Sequence, residues 1–467
     1  MKLGLADLKE IKHYSIVNEQ KIGNVRFSGV SIDSRKCGVK DIFFAITGER
    51  FDGHDFVKIL FKKGVKCVVV SRKWYNGLTN SEKSSLKTGS MLIVNNTVKA
   101  LGELAGNYRR RFPIPVIGIA GSNGKTSTKD LAAHVLSKKY VTLKTQGNLN
   151  NELGVPLTLF RLNSKHEAAV IELGTNHFGE VEQLCKIASP QFGLITNIGK
   201  EHLEFLKDIK GAAKAEGELA EYIQSVYGTF FLNADDRYIK RYSKRKALKK
   251  FVYGEAKSSD VVCSVTGFKG FYPQVKIKFG NNTITTQLNN IGYQSAKAAF
   301  AAAALGFYFE VPPQQIKKAL TGYEVESNKR NQLRSINGIR FIDDTYNSNP
   351  DSVKAAFENL NAYQIKGRKF IVLGDMLEMG KASKKEHTAA GKLVKKMKFE
   401  NLLTYGRDSH QTYLAAKGLK NNFYFEDKET LGKFLKITVK TGDLVLVKGS
   451  RSMKMEEVIT HFKKQQK

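Results

Sequence analysis

Cysteine is scarce in this chain, and what there is does not cluster. Cys37, Cys67, Cys185 and Cys263 lie far apart, and no two form a Cys-x-x-Cys pair. That spacing excludes a disulfide framework and a cysteine zinc site, and it fits a reducing cytosol. Long apolar runs are also missing. The most apolar stretch, 298–309, is too short to span a bilayer and reads as a buried helix. Residues 1–17 mix acidic and basic side chains without an apolar segment, which excludes a signal peptide. The expectation is a cytoplasmic protein with no membrane insertion. Acidic residues are few beside basic ones, 44 against 76, for a formal net charge of +32. Such an excess suits a polyanionic partner, either nucleic acid or a substrate rich in phosphates and carboxylates. The basic clusters at 109–111, 240–250 and 384–385 lack the regular aromatic interleaving of a single-strand-binding surface. No nucleic acid partner is therefore expected, and most of these lysines read as solvated surface.

What is present is a chain too long for one core. Its 467 residues, 41% hydrophobic, suit about three folded units. The second is organised around Gly121-Ser122-Asn123-Gly124-Lys125-Thr126-Ser127. An apolar run, 114–120, leads into these glycines. A helical pattern follows, with Leu131, Ala132, Val135 and Leu136 on one face. Strand, glycine loop, Lys-Thr and helix make a phosphate cradle: backbone N–H groups approach phosphate oxygens, and the helix N-terminus adds positive charge. Lys125 can reach the β- and γ-phosphates, and Thr126 can offer its hydroxyl to Mg2+. The usual first glycine, five residues before Gly124, is here Ile119, so the loop is a compact variant. It points to a nucleoside triphosphate without naming a reaction.

Around it the polar strand ends are dense. The first unit, 1–96, carries candidate strands at 30–34, 41–46 and 65–70, with Asp33-Ser34-Arg35 and the loop 48–54 between them. Those residues suit a diphosphate or uracil pocket, although an Asp-Ser-Arg at a strand end is more often a surface turn. A linking helix, 97–111, opens the second unit, which extends to 327. Its loop 145–156 holds Asn148, Asn150 and Asn151 and is expected to line a polar cleft. Glu172 ends an apolar strand, which makes it a candidate magnesium ligand, and His202 follows the next strand closely. Lys214 lies in a helix, 209–222, and by composition alone reads as exposed. Alternation at Val275, Ile277 and Phe279 predicts a β-hairpin insertion, followed by a helix at 289–305. The third unit, 328–467, repeats apolar strands separated by helical patterns, as in a doubly wound sheet. Its strand-end loops 343–350, 374–380 and 448–451 imply a ligand cleft on one edge.

In their order along the chain, these motifs resemble the Mur ligases, ATP-dependent amide-forming enzymes of peptidoglycan precursor synthesis. The run Asp344-Thr345-Tyr346-Asn347-Ser348-Asn349-Pro350 resembles the branch that adds D-alanyl-D-alanine, and no Asp-Asn-Pro-Arg run of the diaminopimelate- or lysine-adding branch is present. The resemblance implies an α/β fold of three domains. These are a small UDP-binding domain, a central P-loop ATPase-type parallel sheet with a hairpin insertion, and a C-terminal Rossmann-like domain. It implies ATP and Mg2+ as cofactors, UDP-N-acetylmuramoyl-tripeptide and D-alanyl-D-alanine as substrates, and a monomer.

Carried over residue by residue, the resemblance places Lys125 on the γ-phosphate, within the loop Gly121 to Ser127. Thr126, Glu172 and His202 form the magnesium neighbourhood. Lys214 matches a lysine that the family carbamoylates, which turns a cation into a carboxylate. Arg330 and Asp344 would face the nucleotide, Ser34 and Arg35 the uridine diphosphate. Asn148, Asn150 and Asn151 would line the muramoyl-peptide cleft, and Tyr346, Asn347 and Asn349 the substrate side of the third domain. Where the family has a His-Asn pair and a second Asn near adenine, this chain has Tyr293, Gln294 and Lys297, so Gln294 is left to present the amide. The rival readings are a Mur-type ligase with another amine, a nucleic-acid-stimulated ATPase, and a binding protein that kept the fold. The last is opposed by Lys125, Thr126, Glu172, His202 and Lys214 occurring together.

Overall fold

Short apolar runs that end in Gly, Asn or Asp become buried strands, and they gather into three successive sheets. The computed structural model describes residues 2–324 and 331–464. In the first sheet, β1 (Ser15–Val17), β2 (Gly29–Ser31), β3 (Asp41–Phe44), β4 (Cys67–Ser71) and β5 (Ser90–Val94) stand in the order β1-β5-β4-β3-β2. All pairs are parallel except β1 with β5. The strand expected at 30–34 stops at Ser31 because Asp33 turns the chain. Its carboxylate accepts the Arg35 N–H, and its carbonyl accepts those of Lys36 and Cys37.

The second sheet has nine strands. They are β6 (Val116–Ala120), β7 (Thr142–Lys144), β8 (Ala168–Glu172), β9 (Phe192–Ile195), β10 (Thr229–Asn233), β11 (Lys249–Gly254), β12 (Val261–Lys269), β13 (Tyr272–Phe279) and β14 (Asn282–Gln287). Their order is β14-β13-β12-β11-β10-β9-β6-β8-β7. The parallel part runs from β7 to β12, and β6 lies inside it between β8 and β9, so the loops leaving all three open into one crevice. The expected hairpin is the antiparallel pair β13–β14. It is the outer edge of the same sheet rather than a separate insertion, because β12 pairs parallel with β11 and antiparallel with β13. The apolar run 298–309 falls in the helix Tyr293–Tyr308 and its C-cap, Phe309. Its alanines let it lie close against the helix Lys125–Leu136, and Gly306 meets Val135 there.

The third sheet holds β15 (Gln332–Ile336), β16 (Ile339–Asp344), β17 (Lys369–Gly374), β18 (Asn401–Tyr405), β19 (Asn421–Phe425) and β20 (Leu444–Lys448), in the order β15-β16-β20-β17-β18-β19. Only β15 is antiparallel, a strand the sequence pattern did not reveal. The third domain meets the central one along an apolar seam. Phe271, in the β12–β13 turn, is buried among third-domain residues, with its ring centroid 4.5 Å from that of Tyr363. Among the described residues no helix is long and apolar enough to cross a membrane.

Candidate active site

A cleft of about 750 Å³ opens where the carboxyl ends of β6, β8 and β9 face the third domain. The glycine loop forms its floor. Gly121 has φ +120°, and a Cβ there would meet the hydroxyl of Thr196 and come within 2.8 Å of its backbone nitrogen, so only glycine fits. Gly124, at φ +80°, opens the helix Lys125–Leu136, whose first turn lines the cleft. Asn197 pins the loop from β9. Its Nδ2 donates to the Asn123 carbonyl at 2.6 Å, and its Oδ1 accepts the Asn123 N–H at 3.2 Å.

Lys125 lies between two buried carboxylates. Its Nζ is 3.7 Å from Glu201 Oε2 and 3.7 Å from Glu216 Oε1. Glu216 also accepts the Gly121 N–H at 2.6 Å. Burial pushes the Glu216 carboxyl up to about 8, Lys125 opposes the rise, and the neighbouring Glu201 adds to it.

Glu172, 1% exposed, is the second centre. Its Oε1 accepts from Thr126 Oγ1 at 3.0 Å and from Asn150 Nδ2 at 2.9 Å, while its buried Oε2 has no hydrogen-bond partner. The fully buried Lys129 supplies charge from below, with Nζ 3.4 Å from that Oε2 and 3.0 Å from the Gly147 carbonyl to which it donates. Among the described residues no three His, Cys, Asp or Glu side chains converge as a metal cage. Mg2+ does not need one. It takes one or two protein oxygens and completes its shell with phosphates and water, so the Thr126 hydroxyl and the half-used Glu172 carboxylate fit it.

The cleft gathers Asn148, Asn150 and Asn151 from the asparagine loop, Gln294 from the helix Tyr293–Tyr308, and Asp344, Tyr346 and Asn347 from the third domain. Lys448, 1% exposed, holds that third-domain edge by donating to Asp344 Oδ2 at 2.6 Å and to the Asn347 carbonyl at 2.9 Å. His202 also lines the cleft, and its Nδ1 shares a hydrogen bond with Glu378 of the third domain.

Asn349, Lys214, Ser34 and Arg35 do not line this cleft. Asn349 is buried outside the cleft lining. Its Oδ1 accepts the Ser352 N–H as the cap of the helix Pro350–Ala362, and its Nδ2 donates to Asn123. It is therefore a helix cap and a domain contact. Lys214 is exposed over the Phe178 ring, 5.5 Å from the centroid, and does not line the cleft. Ser34 and the Asp33-paired Arg35 belong to the first domain, away from the cleft lining. Arg330 lies outside the described residues.

Glu201, Glu216 and Lys129 were missed. Glu216 did leave a signal: it falls on the buried stripe Ala212, Ala215, Leu219, Ala220 and Ile223 of the helix Ile209–Ser225. An ionisable side chain on an apolar stripe marks a buried partner.

A three-domain α/β chain with a P-loop, a carboxylate ending the neighbouring strand and a third domain closing the cleft defines an ATP-using P-loop enzyme. Family comparison places it more narrowly. Three family models match in order: the Mur ligase catalytic domain at residues 26–109, the Mur ligase middle domain at 119–306 and the Mur ligase glutamate ligase domain at 329–451. UDP-N-acetylmuramoyl-tripeptide–D-alanyl-D-alanine ligase of Bacillus subtilis is 32% identical over 98% of each chain. The Escherichia coli ligase of the same name is 32% identical over 93% of this chain and 94% of its own. A MurF crystal structure from Acinetobacter baumannii superposes with TM-score 0.87 at 28% identity, covering 98% of both chains. MurF ligase from Thermotoga maritima in complex with ADP gives 0.82 at 25% identity, covering 93% of this chain and 97% of its own. The chain belongs to the Mur ligase family and is an ATP-dependent amide-bond-forming ligase.

Proposed function

We propose that this enzyme joins D-alanyl-D-alanine to UDP-N-acetylmuramoyl-tripeptide through an acyl phosphate, in the cytoplasmic stage of peptidoglycan precursor synthesis, and that it acts as a monomer. The observation that carries the reading is the single cleft in which the glycine loop, the asparagine loop and the Asp344–Asn347 edge meet. The relatives similar along nearly the whole chain bear the name of this reaction.

The terminal carboxylate of the tripeptide attacks the γ-phosphorus of ATP, and ADP leaves. The amine of D-alanyl-D-alanine then attacks the acyl carbon, and phosphate leaves from the tetrahedral intermediate. The first step brings an anion to a polyanion. Lys125 and the N–H groups that open its helix offset that repulsion where charge develops. Thr126 and Glu172, with His202 nearby, would hold Mg2+, which would further neutralise the phosphates. Asn148, Asn150 and Asn151 orient the muramoyl peptide, and Asn150 links that task to the metal carboxylate through its bond to Glu172 Oε1. Gln294 and Asp344 meet the nucleoside, and Ser34 and Arg35 hold the uridine diphosphate in the first domain.

The test is ADP release with UDP-muramoyl-tripeptide while the amine is varied. Release that depends on D-alanyl-D-alanine is expected, whereas equal rates with single amino acids would sink the assignment.

A further inference from the structure

Lys200, Glu201 and His202 follow β9 in sequence, and their contacts alternate between domains. Lys200 donates its backbone N–H to Asp351 Oδ2 at 2.5 Å and its ammonium to Glu386 Oε1 at 2.7 Å, both in the third domain. His202 is bonded to Glu378 of that domain, and the Glu204 N–H reaches the Glu378 carbonyl at 3.1 Å. Glu201, between them, turns back to the glycine loop, where its Oε2 is 3.7 Å from Lys125 Nζ. It is 3% exposed, and its other oxygen, Oε1, is buried without a hydrogen-bond partner. A buried carboxylate with an unused oxygen costs stability unless nearby cationic groups hold it; Lys125 is one, and His202 Nε2 lies 4.0 Å from the same Oε2.

We propose that Glu201 is a positioning residue that ties the ATP lysine to the docking of the third domain. Lys200 and His202 grip the third domain, and the backbone between them fixes Glu201 against Lys125. Undocking removes both outer anchors at once and leaves Glu216 as the carboxylate that still orients the lysine. Linkage makes the effect reciprocal, so nucleotide at Lys125 favours docking to the same extent that docking favours nucleotide. The inference rests on the role given above to Lys125 as an ATP ligand, and not on the identity of the incoming amine.

The test is a double-mutant cycle on the full chain with Glu201→Gln and Glu386→Gln. Each variant is first checked for a native melting transition, and the Kd of a fluorescent ADP analogue is then measured. Glu386 does not line the cleft, yet each single change is expected to weaken nucleotide about fivefold. The double variant is expected to stay within about twofold of the weaker single, because both break one connection. Multiplied losses, or a Glu386→Gln variant with unchanged affinity, would overturn the proposal. Should Glu201→Gln not fold, Lys200→Met replaces it: reduced affinity supports the connection, and wild-type affinity refutes it. Nucleotide binding needs no acceptor, so a failure of D-alanyl-D-alanine-dependent turnover would count against the ligase reading alone.

Discussion

Asn349 and Asn123 meet across the seam between the third and central domains, the Asn349 Nδ2 donating to Asn123 Oδ1 at 2.9 Å. The same Asn349 side chain caps the helix Pro350–Ala362 through Oδ1. One amide therefore starts a third-domain helix and touches the phosphate loop. Asn349→Ala should cost about 1 kcal/mol for the lost cap and about as much for the lost contact. Asn349→Asp keeps the acceptor and loses the donor. It should melt near wild type yet bind ATP more weakly, a separation that calorimetry and nucleotide titration can read.

The two glycines of the phosphate loop should differ sharply when replaced. A Cβ at Gly121 collides with Thr196, whereas one at Gly124 meets nothing within 4 Å and carries only the cost of its left-handed backbone, about 1 kcal/mol. Gly121→Ala should therefore lose nucleotide binding and much of its stability. Gly124→Ala should stay folded with reduced ATP affinity. Equal melting temperatures for the two would contradict the packing described for β6 and β9.

Removing the metal should abolish turnover, and the chain's own oxygens should set how much metal is needed. Chelation by EDTA is expected to stop ADP release, with recovery on adding Mg2+. Glu172→Gln and Thr126→Ala should raise the Mg2+ concentration for half-maximal rate, each by about tenfold or more. A rate curve unmoved along the Mg2+ axis would show that these oxygens do not hold the ion.

Acid should weaken the third domain through Asp443. Burial alone would push this carboxyl up. The Arg368 guanidinium and the Lys440 and Arg368 N–H groups outweigh burial and hold it below the ordinary carboxylate value. The folded state therefore favours the ionised form. The resulting stability is present above the unfolded value of about 4 and is lost as pH falls through the lowered folded value. Asp443→Asn should destabilise at neutral pH by about 2 kcal/mol and flatten the acid limb of the melting-temperature curve.

The parts legible in the sequence were those with a local period or a local chemistry. Residues 114–136 announce strand, loop and helix because apolar spacing and glycine placement act over a few neighbours. Asn148, Asn150 and Asn151 could be placed at a cleft because so many amides in one loop have no regular structure to join. Glu201 stayed hidden because its meaning depends on which face of a loop turns inward around Lys125, a decision made by contacts between distant segments, whereas Glu216 was visible as an ionisable side chain on an apolar helical stripe. Asn349 was set on the substrate side by the resemblance, although an Asn just before Pro350 is also the local signature of a helix start. The edge strand β15 escaped because its alternation, Gln332 to Ile336, is half-buried and short.

Phe271 gives the domain seam a direction. Its ring lies among third-domain side chains that include Tyr363, out of water. Elsewhere along the seam, Lys200, His202 and Asn123 face the third domain through ions and amides. Salt screens the charged margin and leaves the oily one intact or tighter. Rising ionic strength should therefore swing the third domain about Phe271 like a page about its binding, widening the cleft mouth while the two domains stay joined.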